Sequence, residues 1–359
     1  MIDPEPDPAP DVTSALTTGR RWRRREIPEP ITLFATWCCT AAIGVAWVLW
    51  HLAPVSPHWL ILCRDIPLWP MIVALPVVVW GAVRDMRPRV RRARLLLAAA
   101  LSAGSGWNIA PPFQRISWGR PVVRVLLWNI GGATQGPEPL IALARRTQPD
   151  VIVFTEAHAY APFALGRLDL QRLALPGWNT VWEDGYFVAS RWPCRRTLRS
   201  TLGIPVPDDP SRDRRILITQ VDSPWGPFQV AAAHFQRPLR HQWSRRPWRS
   251  LRGMGELDRL RRLQVSQLVA AGRGVTAPLL LAGDFNLTPA SSPYAGLRGA
   301  FRDSFAESGW GHGATYPAAF PLIRIDYLLH NRGWSSLSCR VARGEGSDHL
   351  PILAELALR

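Results

Sequence analysis

Short apolar runs that end in a polar residue dominate the sequence from residue 122 onward, and they constrain the fold more than any other feature. The run VVRVLLWNI predicts a strand that ends at Asn129, and PDVIVFTEAH predicts a buried strand with Glu156 near its C-terminal end. Between them, PEPLIALARRTQ has the apolar spacing of a helix. Strands that alternate with helices in this way predict an α/β domain over residues 121–359.

Six more polar residues occupy similar positions beside apolar runs. They are His234 after FQVAAA, Asp284 and Asn286 in APLLLAGDFN, Asp326 in IRIDYLLH, and Asp348 and His349 before the last strand. Strand ends of a packed sheet bring side chains from distant parts of the sequence together. Carboxylates hold a hard cation and activate water, while an amide and an imidazole bind phosphate oxygens. The set therefore predicts hydrolysis of a phosphoester with a metal ion.

Taken singly, most of these residues could have a structural role instead of a catalytic one, and the sequence does not decide between the two. Asp326 fits a turn or cap, His234 fits a hydrogen-bonded core histidine, and Asn129 before Ile-Gly-Gly fits a turn. Glu156 is different, because a carboxylate that closes the run VIVFT would be costly to bury without a metal or a partner. The prediction of a catalytic site therefore depends on the combination.

The order of the motifs along the chain carries a resemblance to a known family. The motifs are WNI (128–130), PDVIVFTEAH (149–158), GYFVASRWP (185–193), VAAAHF (230–235), LLLAGDFNLTP (279–289), RIDYLLH (324–330) and GSDHLPILAEL (346–356). By these motifs, residues 121–359 resemble the endonuclease/exonuclease/phosphatase (DNase I-like) superfamily. WNIGG and ATYP look most like its membrane-anchored bacterial members. The resemblance implies a four-layer α/β sandwich, in which two packed mixed β-sheets are flanked by helices.

The resemblance also implies a metal site. Glu156 would be the principal Mg²⁺ ligand, with Asn129 and Asp348 completing or supporting the metal shell. Because the whole set is rich in oxygen and lacks cysteine, Mg²⁺ is favoured over Zn²⁺, and Mn²⁺ is an alternative.

The remaining residues would carry the catalytic roles. By the resemblance, Asp284 orients or deprotonates the attacking water, and Asn286 binds the phosphate and holds Asp284 in place. His349, paired with Asp326, contacts the phosphate and stabilises the transition state. His234 binds the phosphate or assists the leaving group. A carboxylate–imidazole pair is also suited, on its own chemistry, to keeping an imidazolium charged.

The N-terminal part of the chain has a different composition. Residues 1–30 are rich in Pro, Asp and Arg without an apolar period, which predicts a disordered basic tail. Residues 31–110 predict a membrane region, with spans at about 31–50, 66–83 and 93–109, the last one being the weakest. Three buried helices of a soluble domain are the alternative.

Arginine positions predict the orientation of these spans. Arginines cluster at 20–25 and again at 84–94, and the positive-inside rule places both clusters in the cytoplasm. If residues 93–109 cross the membrane, the chain is a multi-pass cell-membrane protein. Its N-terminus is then cytoplasmic and its catalytic domain extracytoplasmic. If that segment does not insert, the domain stays in the cytoplasm.

The substrate is left open by the sequence. We expect a membrane-anchored phosphodiesterase or phosphatase acting on a phospholipid headgroup, a nucleic acid or a small phosphate ester, with a lipid bilayer and no obligate protein partner. A nuclease is the alternative, with a basic surface at Arg237, Arg240, Arg245 and Arg246 in a segment that also contains Trp243 and Trp248. The net charge of +16 does not decide this, because every basic residue is arginine, a bias that G/C-rich codons can produce. A receptor that binds a phosphorylated ligand without turnover is a third class.

The five cysteines form no metal-binding or disulfide framework, since no CxxC pair occurs. Cys194 and Cys339 both fall in the predicted catalytic domain, and the sequence leaves a disulfide between them open.

Overall fold

The structure is a computed structural model. It describes residues 34, 36–38, 40–42, 44–45, 75–84, 87–104, 108–109, 116–131, 136–157, 177–183, 185–201, 215–235 and 247–359.

The described chain contains both helices and strands. The labelled helices are α1 (Leu75–Arg84), α2 (Pro88–Gly104), α3 (Glu138–Thr147), α4 (Pro247–Arg273), α5 (Ser292–Ala300) and α6 (Ser304–Ser308). The strands are β1 (Asn108–Ile109), β2 (Val122–Asn129), β3 (Val151–Ala157), β4 (Asn179–Glu183), β5 (Gly185–Ser190), β6 (Cys194–Thr201), β7 (Arg215–Ser223), β8 (Gly226–His234), β9 (Leu279–Asp284), β10 (Arg302–Asp303), β11 (Trp310–Gly311), β12 (Asp326–His330), β13 (Trp334–Val341) and β14 (Ile352–Leu358).

Two six-stranded sheets form the centre of the domain. Their strand orders are β10-β12-β9-β8-β7-β6 and β13-β14-β2-β3-β5-β4. Each sheet has one parallel pair, β8 with β9 in the first and β2 with β3 in the second, and its other pairs are antiparallel. The prediction of an α/β fold with two mixed sheets is therefore confirmed.

The buried residues show how the layers stack. One core cluster contains Val125 and Leu127 of β2 together with Val230 and Ala232 of β8, so it lies between the two sheets. Alternate residues of the same strands point the other way, as Leu126 does in a second cluster. Strands that are buried on both faces explain why the sequence shows continuous apolar runs there instead of alternation.

Helices cover the outer face of each sheet. Leu140 and Leu143 of α3 pack in the cluster that holds the outer residues of β2, β3 and β5. Val265 of α4 and Leu297 of α5 pack in a third cluster with residues of β7, β8, β9 and β12. The order helix, sheet, sheet, helix is the four-layer arrangement that the resemblance implies.

A buried ion pair stiffens the chain just before β12. Nη1 of Arg324 lies 2.7 Å from Oδ2 of Asp303, and the hydroxyl of Tyr294 donates to that same oxygen at 2.5 Å. The other oxygen of Asp303 accepts the N–H groups of Phe305 and Ala306 and so caps α6. Because both charges are buried and hydrogen-bonded, this network holds the backbone that leads into Asp326.

The described part of the N-terminal region is helical. α1 packs on α2, and Arg94 of α2 is buried, with Nη1 3.3 Å from Oγ1 of Thr36 and the guanidinium above the ring of Trp37. The helix near the third predicted span is Pro88–Gly104 instead of 93–109, and Asn108–Ile109 is a strand paired with β11. Among the described helices, none has both the length and the apolar character needed to cross a bilayer.

Several sequence predictions fall outside the described residues. They are the disordered tail at 1–30, parts of the spans at 31–50 and 66–83, and the arginines at 237–246. Cys194 and Cys339 are described, and both are free thiols.

Candidate active site

Three predicted site residues lie at the same end of neighbouring strands in the first sheet. His234 ends β8 and Asp284 ends β9, and the two residues are partners in the parallel register. Asp326 begins β12 and is the antiparallel partner of Asp284. Three residues that are distant in the sequence therefore lie side by side, with Asp284 in the middle.

Two groups of ionisable side chains share Asp284. The Glu156 group contains Glu156, His234 and Asp284, and the His349 group contains Asp284, Asp326 and His349. Within each group, the oxygen or nitrogen atoms that could bind a metal lie within 4.8 Å of one another. The structure thus brings together five of the eight predicted residues through side chains that could hold a metal ion.

Asn129 connects the two sheets at this site. Its Nδ2 donates to Oε1 of Glu156 at 3.2 Å and to Oδ2 of Asp284 at 3.0 Å, while its Oδ1 accepts the N–H of Gly131 at 3.1 Å. The N–H of Gly131 must donate to an oxygen, so the Asn129 atom that it contacts is Oδ1. Nδ2 is then the atom that faces Glu156 and Asp284. Asn129 therefore holds the two carboxylates as a donor, whereas the resemblance left open whether it would complete or support the metal shell.

Two residues of the site have unusual backbone conformations. Glu156 has φ of 54° and lies where the pairing of β3 with β5 shifts register, between Phe154 and Ala157. Asn286 has φ of 49° in the turn after β9. A bulge of this kind redirects a side chain, and a left-handed non-glycine residue stores strain that the surrounding contacts must offset. Both conformations fall on residues that the sequence predicts for the site.

The turn after β9 holds Asp284 in place. The backbone N–H of Asn286 donates to Oδ1 of Asp284 at 2.9 Å, and the side-chain Nδ2 of Asn286 donates to the carbonyl of Phe235 at 3.0 Å. The predicted support of Asp284 by Asn286 is thus provided by its backbone, and its side chain ties this turn to the end of β8.

Asp326 and His349 form a buried pair. Nδ1 of His349 lies 2.9 Å from Oδ2 of Asp326, and Nε2 lies 3.8 Å from Oδ2 of Asp284. Burial by itself would lower the pKa of His349, but the charge of Asp326 and its hydrogen bond raise that pKa to about 9. The imidazole is therefore protonated at neutral pH and presents a positive charge to the site.

The environment of Asp284 disfavours its charged form. Burial raises the pKa of Asp284 to about 7, and the neighbouring negative charge of Asp326 acts in the same direction, against the charge of His349. A carboxyl group that titrates near neutrality is suited to accept a proton from water.

His234 lies on the other side of Asp284. It is buried, and its Nε2 is 3.5 Å from Oε1 of Glu156 and 3.6 Å from Oδ2 of Asp284. In this structure its Nε2 therefore lies at ion-pair distance from two carboxylates without hydrogen-bonding to either.

Asp348 differs from the other predicted residues because its side chain is exposed and belongs to neither group among the described residues. Its carbonyl accepts the N–H of Ala318 at 2.7 Å. The negative charge of Asp348 contributes to the raised pKa of His349. In this structure Asp348 lies at the rim of the site.

Sequence reasoning missed three residues that position the site. Trp128 donates its Nε1–H to the carbonyl of His349 at 2.8 Å. The hydroxyl of Ser347 donates to the carbonyl of Asn129 at 2.6 Å and accepts the N–H of His349 at 3.1 Å. The ring of Tyr316 packs on His349. All three lie within quoted motifs, but nothing in those motifs distinguishes a supporting contact from ordinary packing.

The donor set fits a divalent cation. Asp284 shares one largely buried group with Glu156 and another with Asp326, and the repulsion of both on Asp284 is only partly offset by His349. Oδ1 of Asp326 is buried and has no hydrogen-bond partner among the described residues. A hard cation with oxygen ligands would compensate this excess of negative charge.

Comparison with known proteins identifies relatives of this chain. A sequence model of the "Endonuclease/Exonuclease/phosphatase family" matches residues 126–349, which include every predicted site residue. An RNA-directed DNA polymerase from the mobile element jockey of Drosophila funebris is 29% identical over 133 residues. That match covers 37% of this chain and 13% of the polymerase, so the chain corresponds to a small part of this relative's length.

Solved structures resemble the fold. An endonuclease/exonuclease/phosphatase family protein from Bacteroides thetaiotaomicron has a TM-score of 0.50 and 16% identity, covering 67% of this chain and 96% of that one. An endonuclease/exonuclease/phosphatase from Beutenbergia cavernae has a TM-score of 0.48 and 22% identity, covering 67% and 72%. At these identities the likeness to the Bacteroides protein concerns the fold alone.

Proposed function

From the premise that this chain belongs to the endonuclease/exonuclease/phosphatase family, we propose that it is a membrane-anchored, Mg²⁺-dependent phosphoester hydrolase. The observation that carries the proposal is the convergence of the Glu156 group and the His349 group on one buried aspartate, Asp284. Two acid–imidazole groups around one carboxylate provide a cation site, a base and a positive charge within a few ångströms of one another.

Glu156 and the neighbouring carboxylates would hold the cation. Asn129 restrains Glu156 and Asp284 by donating to both, so it fixes the distance between them. When bound, Mg²⁺ would neutralise charge on the phosphate and polarise its bond to the leaving group. Mn²⁺, with the same preference for oxygen ligands, would be the alternative cation.

Asp284 would accept the proton of the attacking water. Its Oδ1 is held by the backbone of Asn286, so Oδ2 is the oxygen that lies near His234 and His349. His349, kept protonated by Asp326, would stabilise the negative charge that develops on the phosphate oxygens. His234 and the amide of Asn286 would bind the phosphate beside it.

Membrane anchoring is supported by the surface of the N-terminal helices. Large apolar side chains are exposed on them at Phe34, Val45, Val79, Val83, Leu95 and Leu96. An exposed apolar surface of this kind is typical of a face that contacts lipid or protein. Exposed arginines lie at the end of α1 and in the first turns of α2, and the positive-inside rule would put them on the cytoplasmic side.

We propose that the catalytic domain lies on the extracytoplasmic side, opposite the arginines of residues 84–92. An alkaline phosphatase reporter fused after Arg359 of the full chain is expected to be active, because that enzyme folds only where its disulfides can form. The matched reporter, green fluorescent protein, should stay dark if exported in the unfolded state. A dark alkaline phosphatase fusion with a bright fluorescent one would place the domain in the cytoplasm.

The proposed activity is tested with a panel of substrates. We expect the full chain to hydrolyse at least one of bis-p-nitrophenyl phosphate, p-nitrophenyl phosphate, DNA or phospholipid, and to lose that activity in EDTA and regain it with Mg²⁺. Glu156→Gln should lower turnover about 100-fold, because the cation loses a charged ligand. The exposed Glu345→Gln is the matched control and should retain wild-type turnover.

Each outcome of the panel points to one class of function. Turnover that persists in EDTA, or a Glu156→Gln variant as active as wild type, would contradict metal-dependent hydrolysis. Cleavage of DNA with an affinity that falls steeply as salt rises would instead favour the nuclease. Binding of a phosphorylated compound with no turnover of any substrate would favour the receptor.

A further inference from the structure

Residues 315–318 join the strand that carries Asp326 to the loop that carries His349. The hydroxyl oxygen of Thr315 lies 3.4 Å from the backbone nitrogen of Asp326 and accepts its N–H. The carbonyl of Thr315 accepts the N–H of Leu350 at 2.7 Å, directly after His349. Thr315 is fully buried, so both contacts are shielded from water. The two partners of the buried acid–imidazole pair are therefore held to one short segment.

Tyr316, the next residue, contacts the imidazole itself. Its ring centroid lies 4.9 Å from that of His349, with the two planes tilted by 48°. Its backbone is fixed by a pair of hydrogen bonds with Ile323, at 3.0 and 2.9 Å. The N–H of Ala318 donates to the carbonyl of Asp348 at 2.7 Å, which attaches the same segment to the loop beside His349. The Tyr316 ring is thus presented from a rigid backbone.

The imidazole of His349 needs a second restraint. Nδ1 makes a short hydrogen bond to Asp326, at 2.9 Å, whereas Nε2 lies 3.8 Å from Asp284, beyond hydrogen-bonding distance. One hydrogen bond fixes one atom of the ring and leaves the ring free to tilt about it. A flat aromatic ring packed against the imidazole restricts that tilt.

We propose that Tyr316 is a positioning residue for His349. Its ring holds the imidazole so that Nε2 points toward Asp284 and the phosphate position. Thr315 holds the strand of Asp326 next to the same segment. The contact with His349 is between the two rings, so the phenolic hydroxyl is not required. The inference rests on the proposed function in one respect, that His349 acts on the phosphate.

Two substitutions at this residue separate the ring from its hydroxyl. In the full chain with Mg²⁺, Tyr316→Ala is expected to lower kcat about tenfold and to change KM less than twofold, because a tilted imidazole binds the ground state nearly as well but misses the developing charge. Tyr316→Phe keeps the ring and should keep wild-type kcat. Equal losses in the two variants would overturn the proposal.

Two controls distinguish positioning from a general loss of stability. Phe320→Ala removes an exposed aromatic side chain from the same loop and should leave kcat unchanged. In a His349→Ala background, Tyr316→Ala should cause no further loss of kcat, because the residue it positions is absent. A further tenfold loss in that background would mean that Tyr316 acts independently of His349, contrary to the proposal.

A measurement without substrate keeps this inference separate from the proposed function. The Nδ1–H proton of His349, hydrogen-bonded to Asp326, should give a resolved downfield NMR resonance in wild type and in Tyr316→Phe. That resonance should broaden or disappear in Tyr316→Ala as the ring becomes mobile. If wild type turns over no substrate, the proposed function fails while the NMR result still decides the role of Tyr316. An unchanged resonance in Tyr316→Ala would refute that role whatever the activity.

Discussion

Asp284→Asn is expected to lower kcat about 1,000-fold while the folded protein keeps or gains stability. The loss follows because an amide cannot accept a proton from water, and general-base catalysis contributes factors of about 100 to 10,000. The new NH2 group would face Nδ2 of Asn129, which loses its acceptor, but the amide is nearly the same shape as the carboxylate and its oxygen can still accept the N–H of Asn286. The site should therefore remain assembled without its base.

The effect on stability has the opposite sign because of burial. The pKa of Asp284 is raised from 3.8 to about 7, because burial disfavours the charged carboxylate in the folded state, so stability falls as pH rises through this range and the full cost is present at pH 8. A neutral amide removes this cost and also the repulsion from Asp326, and these gains offset the hydrogen bond from Asn129 that is lost, a term of about 1 kcal/mol. We therefore expect Tm at pH 8 to be equal to or higher than that of wild type, measured without added metal.

Asp258→Asn is the matched control for this prediction. Asp258 lies on α4 and pairs with Arg262 at 2.7 Å near the surface, so its loss should change neither kcat nor Tm appreciably. An Asp284→Asn variant within tenfold of wild-type kcat would show that Asp284 is not the base. A large drop in Tm would show that its charge stabilises the fold.

Gly283→Ala is expected to destabilise the domain by more than about 4 kcal/mol, an effect reserved for severe backbone or packing conflicts. A Cβ atom at this position would lie 1.7 Å from the carbonyl oxygen of Ala233, its partner across the parallel pair of β8 and β9. Since the obstacle is backbone, no side-chain rearrangement can relieve it, and the two strands must separate. Chemical denaturation of the purified variant measures the loss, and a fall in folded yield accompanies it.

The same substitution should also remove activity from any folded fraction, because His234 and Asp284 are the next partners in the register. Gly299→Ala is the matched control: it lies in α5 with nothing within 4 Å of the added Cβ, and helix propensity predicts a gain of up to about 1 kcal/mol. Comparable stability of the two variants would show that β8 and β9 do not approach as closely as described.

Much of the fold was predictable from local patterns. The runs that end at Asn129, His234 and Asp284 are strands that end at those residues, and Asp326 lies on a strand as predicted. The grouping of polar strand ends at one sheet edge was also expected, since neighbouring strands bring their ends together. The structure brings five of the predicted side chains into two groups that share Asp284. The role of each side chain remains a prediction.

The details of the site were less predictable. Asn129 turns its amide nitrogen toward the carboxylates because Gly131, two residues later, takes its oxygen. Asp348 lies at the exposed rim although its neighbour His349 is buried. Each of these outcomes depends on a single turn, and a one-residue change in such a turn would redirect the side chain without changing the pattern of apolar residues.

By itself, the sequence determined the strands that carry the predicted site residues, which polar residues lie at their ends, and the kind of chemistry those residues can support, because apolar periodicity and residue type are local properties. Only the tertiary structure decided that Asp284 lies between the two groups, that Asn129 links the two sheets, and that Tyr316 packs on His349. These are contacts between residues far apart in the chain. They follow from strand register, the bulge at Glu156 and the packing of one sheet on the other, which no local pattern specifies.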